Sequence, residues 1–283
     1  MQKKFIAIIG NPLEHTLSPF IHNHAFAITK LPYTYGIIKT TTEFLPNVVS
    51  SLRNKNFRGA NITIPFKEKI IPFVDVISDE AKIIGAINTI VNNNGTLHGY
   101  NTDVDGIISS LEKYKKELHR STVLIVGSGG AAKSVIYALC QYFSPKKIYL
   151  YNRSIEKAKS IELYFQSLFP KTSLQTLSRF PDDVQRINLI INTTPVGMKP
   201  LVDKMPIPSN LVLSNKQIIF DIIYNPLQTP LLHYAQKSGA IIINGLEMFL
   251  QQAAKSFQLW TNTVFPKEEI YFSLVQKFTH ISF

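Results

Sequence analysis

The sequence of 283 residues contains a single cysteine and no long apolar run. Cys140 cannot form a disulfide within the chain, and its place in an apolar helical pattern predicts a buried, inert thiol. No apolar stretch approaches the roughly 20 residues of a membrane span. The short apolar run near the N-terminus stops at Gly10, without the cleavage site of a signal peptide. These absences exclude a disulfide framework and predict no membrane association, so we expect a cytoplasmic protein.

Acidic residues are also scarce, because 19 Asp and Glu stand against 30 Lys and Arg, for a formal net charge of +11. Such a balance suits nucleic acid, an anionic membrane surface or anionic small molecules. The basic residues are scattered, however, and the densest groups, residues 112–120 and 144–147, are short. There is no zinc-finger spacing, RNP-type motif or long basic arm. We therefore expect no nucleic acid as partner, and no metal site.

Strand and helix patterns alternate along the chain, which is typical of an α/β fold. In the N-terminal part, Asn94-Gly95 lies between two short extended runs and predicts a β-hairpin. From about Ser121 the strands are near-continuous apolar runs, as in a parallel sheet covered on both faces. We predict two α/β domains, residues 1–114 and 115–246, with a cleft between them. The C-terminal helices, about 247–283, are expected to pack back on the first domain.

The stretch GSGGAA, with Gly127, Gly129 and Ala132, fits the pattern G-x-G-x-x-A between a strand and a helix. The first glycine allows a tight turn, and the second lets the backbone approach a pyrophosphate. The small third residue lets helix and strand pack closely, and free N–H groups at the helix start face the anion. In this context the pattern favours a dinucleotide site over a tight turn without a ligand.

The end of the next strand indicates which dinucleotide binds. NAD-binding folds usually place an acidic residue there for the ribose 2′-hydroxyl. This chain has Asn152, Arg153 and Ser154, with Lys157 one helical turn later. A guanidinium can pair with a 2′-phosphate, which a carboxylate would repel. Cations at a helix N-terminus oppose the helix dipole unless an anion compensates them, so the residues favour NADP over NAD.

Polar side chains in the first domain form a second candidate site. Thr63 lies inside an alternating strand pattern that Pro65 ends, because proline has no N–H to give to a ladder. Lys67 follows directly. Open α/β sheets bind ligands outside the carboxyl ends of their strands. At such ends we place Thr16, Ser18, Lys67 and Asn88, and Asp103 comes at the start of a helix.

Most of these side chains also have an ordinary structural interpretation. Ser18 and Asp103 could be helix N-caps, Thr63 a strand residue and Asn88 a turn residue. Lys67 alone has no such role. Together, the hydroxyls, an amide, one ammonium and one carboxylate suggest a pocket for a small polyhydroxy acid.

Nine motifs resemble, in order and over nearly the whole chain, those of the shikimate dehydrogenase family. They are NPLEHTLSP, GANITIPFKE, GAINT, GYNTD, GSGGA, NRS, INTTPVGM, DIIYNP and GLEMFLQQA. The resemblance implies an N-terminal substrate-binding domain and a Rossmann-like NADP domain. It also implies an oxidoreductase that reversibly reduces 3-dehydroshikimate to shikimate with NADPH, in chorismate and aromatic amino-acid biosynthesis.

By motif match, the resemblance assigns Lys67 and Asp103 as the catalytic pair. It implies substrate contacts at Thr16, Ser18, Thr63, Lys67, Asn88, Asp103, Tyr224 and Gln252. It implies NADP contacts at Gly127, Ser128, Gly129, Gly130, Ala131, Asn152, Arg153, Ser154, Lys157, Thr193, Gly245 and Met248.

Three residues depart from the family pattern. Thr16 stands where members often have serine, Lys157 where many have arginine, and Glu247 where some have glycine. A quinate/shikimate dehydrogenase that uses NAD or NADP is therefore the alternative enzyme. A catalytically inactive NADP-binding regulator is a remote alternative, which predicts loss of Lys67 or Asp103. We expect a monomer or a homodimer.

Overall fold

The computed structural model describes residues 3–181 and 183–281, with side chains up to residue 278. These residues form two compact units. The first contains residues 3–105 and 250–281, and the second contains residues 106–249. The ends of the predicted domains, residues 1–2 and 282–283, lie outside the described residues.

Strands and helices alternate along most of the chain. The strands are β1 (Lys4–Gly10), β2 (Tyr33–Lys39), β3 (Phe57–Ile62), β4 (Val76–Ile77), β5 (Thr89–Asn93), β6 (Thr96–Tyr100), β7 (Thr122–Val126), β8 (Lys147–Tyr151), β9 (Ser173–Leu177), β10 (Leu189–Asn192), β11 (Ile218–Asp221) and β12 (Ile241–Ile243). The helices are α1 (Ser18–Ile28), α2 (Leu45–Ser51), α3 (Asp79–Ile84), α4 (Asp103–Leu111), α5 (Lys115–Leu118), α6 (Gly130–Ala138), α7 (Ile155–Leu168), α8 (Pro230–Lys237), α9 (Leu246–Thr261) and α10 (Lys267–Ile281). A π-helical turn, Leu139–Phe143, follows α6.

The sheet of the first unit is mixed, with the order β2-β1-β3-β5-β6-β4. The apolar strand β1 pairs in parallel with β2 and β3, while β5 pairs antiparallel with β3 and with β6. The turn between β5 and β6 has φ of +53° at Asn94 and +94° at Gly95. The predicted hairpin is confirmed, because these two residues tolerate the left-handed region that the turn needs. It follows that β1, β3 and β6 end at the sheet edge where β5 begins.

The sheet of the second unit is parallel throughout, with the order β12-β11-β10-β7-β8-β9. Numbered within the unit, this is the doubly wound order 3-2-1-4-5-6 read from β9. The order reverses between β7 and β10, and such folds bind dinucleotides there, outside the carboxyl ends of the strands. The α/β fold class and the parallel sheet predicted from apolar strands are confirmed.

Each unit has its own apolar core. In the first unit, buried side chains of β1, β3 and α2 pack with Phe66 and Ile70. In the second, apolar side chains of β7, β10 and β11 pack with those of α8. Trp260 at the end of α9 is fully buried in the first unit, where its Nε1 donates to the carbonyl of Ile90 at 2.9 Å.

Several local predictions differ from the structure. Thr63 was expected inside a strand, but β3 ends at Ile62. Asn88 was expected at a carboxyl end, whereas it precedes β5 and reaches the same sheet edge because β5 runs antiparallel to β3. Cys140 was expected to be buried but is partly exposed in the π-helical turn. Burial nevertheless raises the pKa of its thiol to about 12, so the thiolate is disfavoured.

The chain passes between the two units inside α4, after Asp105, and inside α9, after Phe249. From the sequence we place these passages at residues 114–115 and near residue 247. A helical pattern does not show which domain a helix packs against, so it cannot locate a passage inside a helix. Gly106 lies against the start of α9, since a Cβ built on it would meet the carbonyl oxygen of Met248 at 2.5 Å. Ser109 also donates a hydrogen bond to Glu247.

Candidate active site

Lys67 and Asp103 form an ion pair at the shared edge of the first sheet. The Nζ of Lys67 lies 2.5 Å from Oδ2 of Asp103, and the two side chains are 17% and 5% exposed. Asp103 opens α4, where the helix dipole favours a carboxylate. A pair with this little exposure is held in one geometry more firmly than a surface ion pair.

A turn after β3 positions Lys67. The N–H of Thr63 donates to the carbonyl of Ile9 at 2.9 Å, and the N–H of Phe66 donates to the carbonyl of Thr63 at 2.9 Å. The buried ring of Phe66 then anchors the segment in the core. The carbonyl of Lys67 accepts from the N–H of Ile87 at 2.8 Å, which ties Lys67 to the residue before Asn88.

The amide of Asn88 has a fixed orientation. Its Oδ1 accepts from the backbone N–H of Thr102 at 2.7 Å. Its Nδ2 donates to Oδ1 of Asp103 at 2.8 Å and to Oγ1 of Thr102 at 2.9 Å. The carboxylate of Asp103 is therefore held by an amide on one oxygen and an ammonium on the other.

The other candidate residues of the first unit lie on three segments. Thr16 and Ser18 are linked by a hydrogen bond from Oγ1 of Thr16 to Oγ of Ser18, 3.3 Å long. A Cβ built on Gly10 would meet the methyl group of Thr63 at 2.3 Å, so only glycine at the end of β1 allows this approach. Gln252 lies in α9, where its carbonyl accepts from the hydroxyl of Ser256 at 2.9 Å.

Sequence reasoning missed a set of buried polar residues behind this site. They are Asn61, Thr89, Thr102 and Ser256. Asn61, Thr89 and Thr102 belong to motifs that mark the family resemblance. For Asn61 in β3 and Thr89 in β5 the signal is a polar residue at a position that the pattern of a strand would bury. Ser256 has no such signal, because a serine in a helix is unremarkable.

The first two glycines of the turn in the second unit, Gly127 and Gly129, differ in their surroundings. Gly127 has φ of +117°, and a Cβ built on it would meet Oγ1 of Thr193 at 2.4 Å. Gly129 has negative φ, and a Cβ there would find no atom within 4 Å. Gly129 is the N-cap of α6 and has no side chain to accept from the first amide groups of the helix, at Gly130 and Ala131, while Ser128 before it is buried. The space in front of Gly129 is open. This space suits a pyrophosphate.

The residues after β8 are polar and mostly exposed. Ser154 caps α7 by accepting from the N–H of Lys157, and Nδ2 of Asn152 donates to the carbonyl of Ser154 at 3.0 Å. Arg153 and Lys157 are exposed. Their cationic heads are available for an anion beside the end of β8.

The remaining candidates lie near the carboxyl ends of β10, β11 and β12. Thr193 donates its hydroxyl to the carbonyl of Val126, the last residue of β7, at 2.8 Å. The ring of Tyr224 stacks on Phe249 with centroids 4.0 Å apart. A Cβ on Gly245 would meet the carbonyl oxygen of Ile222 at 2.0 Å, so this position requires glycine. Met248 is buried.

Among the groups of the first unit with shifted pKa values, Glu80 and His22 have large shifts. Burial and, to a smaller extent, the charge of Asp105 together raise the pKa of Glu80 to about 7, while Lys255 opposes the shift. Complete burial lowers the pKa of His22 to about 3. Residues 3–181 and 183–281 contain no group of three His, Cys, Asp or Glu side chains that could hold a metal ion. No described helix is both long and apolar enough to cross a bilayer.

Three family models match successive parts of the chain. "Shikimate dehydrogenase substrate binding domain" matches residues 8–90, "Shikimate / quinate 5-dehydrogenase" matches residues 109–226, and "Shikimate 5'-dehydrogenase C-terminal domain" matches residues 245–271. A shikimate dehydrogenase (NADP(+)) from Carboxydothermus hydrogenoformans is 40% identical, over 92% of each chain. The chain belongs to the shikimate dehydrogenase family. The resemblance inferred from nine motifs is thereby confirmed.

Solved structures of shikimate dehydrogenases have the same fold. The enzyme from Thermus thermophilus, in complex with NADP(H) and shikimate, is 30% identical with a TM-score of 0.82, covering 94% of this chain and 97% of its own. The enzyme from Listeria monocytogenes, in complex with shikimate and NAD, is 31% identical with a TM-score of 0.84, covering 96% of both chains.

Proposed function

We propose that this member of the shikimate dehydrogenase family catalyses the reversible, NADP-dependent reduction of 3-dehydroshikimate to shikimate. The observation that carries the proposal is the Lys67–Asp103 pair, set at 2.5 Å with little exposure. It occurs in a chain whose relative at 40% identity is a shikimate dehydrogenase (NADP(+)).

In the proposal, the first unit binds the substrate. Hydroxyl groups of Thr16, Ser18 and Thr63 hold its carboxylate, and Asn88 and Gln252 bind its ring hydroxyls. Tyr224 contributes near the carboxylate. The support is that six of the seven candidate positions other than Tyr224 come from the shared sheet edge and the loops around it, and the seventh, Gln252, from α9 of the same unit.

Lys67 acts as the proton donor in this mechanism. When bound, NADPH supplies the hydride that reduces the ketone carbon. The former carbonyl oxygen then needs a proton, which the Lys67 ammonium donates; in the oxidation, the Lys67 amine accepts it from the hydroxyl. Asp103 fixes Nζ of Lys67 and accepts a hydrogen bond from the same hydroxyl. Asn88 keeps the Asp103 carboxylate in place.

The second unit fits NADP. The open space in front of Gly129 and the start of α6, which has no side-chain cap, suit the pyrophosphate. Asn152 stands in place of an acidic residue at the end of β8, and Arg153 and Lys157 follow it, which suits the 2′-phosphate. The hydroxyl of Ser154, which donates to Glu156 at 3.2 Å, would turn to the phosphate on binding. Thr193, Gly245 and Met248 would line the nicotinamide side. We place the enzyme in the cytoplasm, as a monomer or homodimer that does not bind nucleic acid.

The second candidate is a quinate/shikimate dehydrogenase that accepts NAD. The relative from Listeria monocytogenes was crystallised with NAD, and Thr16 departs from the usual serine of the substrate loop. Lysine at position 157 also gives the 2′-phosphate a point charge instead of a planar fork. The preference for NADP or NAD, and for shikimate or quinate, is therefore to be decided by measurement.

The decisive experiment measures initial rates of NADP reduction with shikimate, and then with quinate and with NAD. We expect the highest kcat/KM for shikimate with NADP. Higher kcat/KM with quinate or with NAD would favour the second candidate. No turnover with any combination would contradict both and favour an inactive NADP-binding protein.

A further inference from the structure

Ser256 is a buried junction between α9 and the polar residues behind the candidate site. It is fully buried, and its hydroxyl donates to the carbonyl of Gln252 at 2.9 Å, as helix serines commonly do. Its Oγ also lies 2.7 Å from Oγ1 of Thr89 and 3.1 Å from Oγ1 of Thr102. Nδ2 of Asn61 donates to it at 3.2 Å. A serine that only donated to its own helix would make none of these last three contacts.

The direction of these hydrogen bonds follows from the donors. Since the hydroxyl proton of Ser256 goes to Gln252, the lone pairs of its Oγ are left to accept. The hydroxyl of Tyr35 donates to Oδ1 of Asn61 at 2.6 Å, which fixes the orientation of the amide. Its Nδ2 then faces three acceptors, Oγ1 of Thr89 at 3.1 Å, the carbonyl of Asn88 at 3.2 Å and Oγ of Ser256 at 3.2 Å. Ser256 is therefore the acceptor on which the surrounding donors converge.

Asn88 is also limited in the hydrogen bonds that it can accept. Its Oδ1 has two lone pairs, and the backbone N–H of Thr102 takes one. The hydroxyls of Thr89 and Thr102 lie 3.1 and 3.2 Å from this oxygen, but only one of them can use the second lone pair. Ser256 accepts from the other. Without Ser256, both hydroxyls compete for Asn88 or pair with each other across 3.3 Å.

We infer that Ser256 is a positioning residue for the dehydrogenase reaction. Through the hydroxyls of Thr89 and Thr102 it orients the amide of Asn88, which donates to Asp103. It also joins α9, beside Gln252, to the strands that carry the site. The inference rests on the proposed function for its kinetic consequence, and on the hydrogen bonds alone for its structural one. Ser256 itself touches neither Lys67 nor Asp103.

The test compares Ser256→Ala with a matched control, Ser110→Ala. Ser110 is also a buried helix serine, and its hydroxyl donates to the carbonyl of Gly106 four residues earlier, at 2.8 Å. We expect Ser256→Ala to lower kcat/KM for shikimate about tenfold, since small misplacements of reacting groups cost one to two orders of magnitude. Both a lower kcat and a higher KM for shikimate should appear, with KM for NADP unchanged. Ser110→Ala should match the wild type.

A rescue variant separates positioning from stability. Ser256→Thr retains the hydroxyl and adds a methyl group at a packed site. Its melting temperature should therefore be lower than that of the wild type, but its KM for shikimate should be the same. A Ser256→Ala variant that only lowers the active fraction, with KM for shikimate unchanged, would overturn the inference. So would an Ser256→Thr variant with the same kinetic defect as Ser256→Ala.

A crystal structure of ligand-free Ser256→Ala keeps this inference distinct from the proposed function. We expect Nδ2 of Asn88 to move away from Oδ1 of Asp103, which it approaches to 2.8 Å in the wild type. If the wild type showed no turnover, the proposed function would fail, and the displacement of Asn88 would still decide whether Ser256 positions it. An unmoved Asn88 would overturn the inference.

Discussion

Lys67 and Lys69 are two residues apart but lie in different surroundings. Lys67 is mostly buried and pairs with Asp103, whereas Nζ of Lys69 donates to the hydroxyl of exposed Thr42 at 2.9 Å. Lys67→Ala should lower kcat by a factor of about 100 to 10,000, which is the usual value of general acid–base catalysis. Steady-state kinetics with shikimate and NADP measures this effect.

Lys69→Ala is the control for this measurement and should leave kcat within about a factor of two, since surface substitutions away from special contacts have little effect. A Lys67→Ala enzyme with normal kcat and a raised KM would reduce Lys67 to a binding residue.

His22 is a buried imidazole inside an aromatic cage. Its ring stacks on Tyr35 with centroids 4.6 Å apart and lies edge-on to Trp260 at 5.2 Å. Within the described chain, neither ring nitrogen has a hydrogen-bond partner. Burial of this kind disfavours the charged form and lowers the pKa of His22 from 6.5 to about 3.

The shift predicts how stability depends on pH. Below about pH 6.5 His22 binds a proton in the unfolded chain, whereas in the folded chain it stays neutral down to about pH 3. The free energy of unfolding should therefore fall with falling pH in that window, by roughly 1.4 kcal/mol per unit, and His22 should contribute no slope above it. His22→Phe removes this contribution. Between pH 7.5 and pH 5 the free energy of unfolding of the wild type should therefore fall by about 2 kcal/mol more than that of the variant. Urea unfolding of both proteins at several pH values measures this fall, and a difference between them that is independent of pH would contradict it.

The sequence singles out individual residues where chemistry alone marks them, and their functional roles stay predictions. Lys67 has no structural role in its pattern, and Arg153 stands where NAD enzymes carry an acid. Ser256 and Asn61 were not predictable, because their importance lies in partners that are 195 residues apart in the chain. A hydrogen-bond network of this kind becomes visible only when the strands and α9 are folded together.

At the scale of elements, β3 and α9 meet at Gly59. A Cβ built there would lie 2.1 Å from the carbonyl oxygen of Ile90 and 2.6 Å from Nε1 of Trp260, which are themselves hydrogen-bonded. Gly59→Ala should separate this pair and lower the free energy of unfolding by about 3 kcal/mol, the range for overpacking and a lost buried hydrogen bond. Trp260 is the only tryptophan in the sequence, so its fluorescence follows unfolding of the first unit.

Gly36 in β2 is the matched control, because it is also a strand glycine and a Cβ there would meet nothing within 4 Å. Gly36→Ala should be neutral or stabilising by roughly 0.5 kcal/mol, since alanine restricts the unfolded chain. Equal urea midpoints for the two variants would contradict the close packing at Gly59.

Elements with strong periodicity were predicted well, and short or polar ones were not. β1 and β7 are apolar runs, and the hairpin has its Asn-Gly turn. β9 was missed because SLQTL is a half-exposed edge strand, and β4 because two residues carry no pattern. The position of Asn88 depends on strand direction, which follows from pairing and not from the sequence of the strand.

At the scale of the whole molecule, the sequence predicted two α/β domains but not where helices change units. α4 and α9 each belong to both units, and their amphipathic patterns continue without a break across the passage. Gly106 marks one passage by its close approach to Met248, which a single sequence does not reveal. The periodicity of a helix shows that one face is buried but does not show which part of the molecule covers that face.

Cofactor binding should stabilise the full chain, by about 2.7 kcal/mol at a hundredfold excess over Kd. Gly129→Ala places a methyl group in open space, so the free protein should melt slightly below the wild type, by no more than the small cost of alanine at an N-cap. The same methyl group would stand in the space proposed for the pyrophosphate, so the rise in melting temperature with NADP should largely disappear. Gly127→Ala is the contrasting variant, because φ of +117° and the approach to Thr193 make it destabilising without any ligand. Thermal shift measurements with NADP and with NAD test both variants, and a full NADP shift in Gly129→Ala would show that the pyrophosphate binds elsewhere.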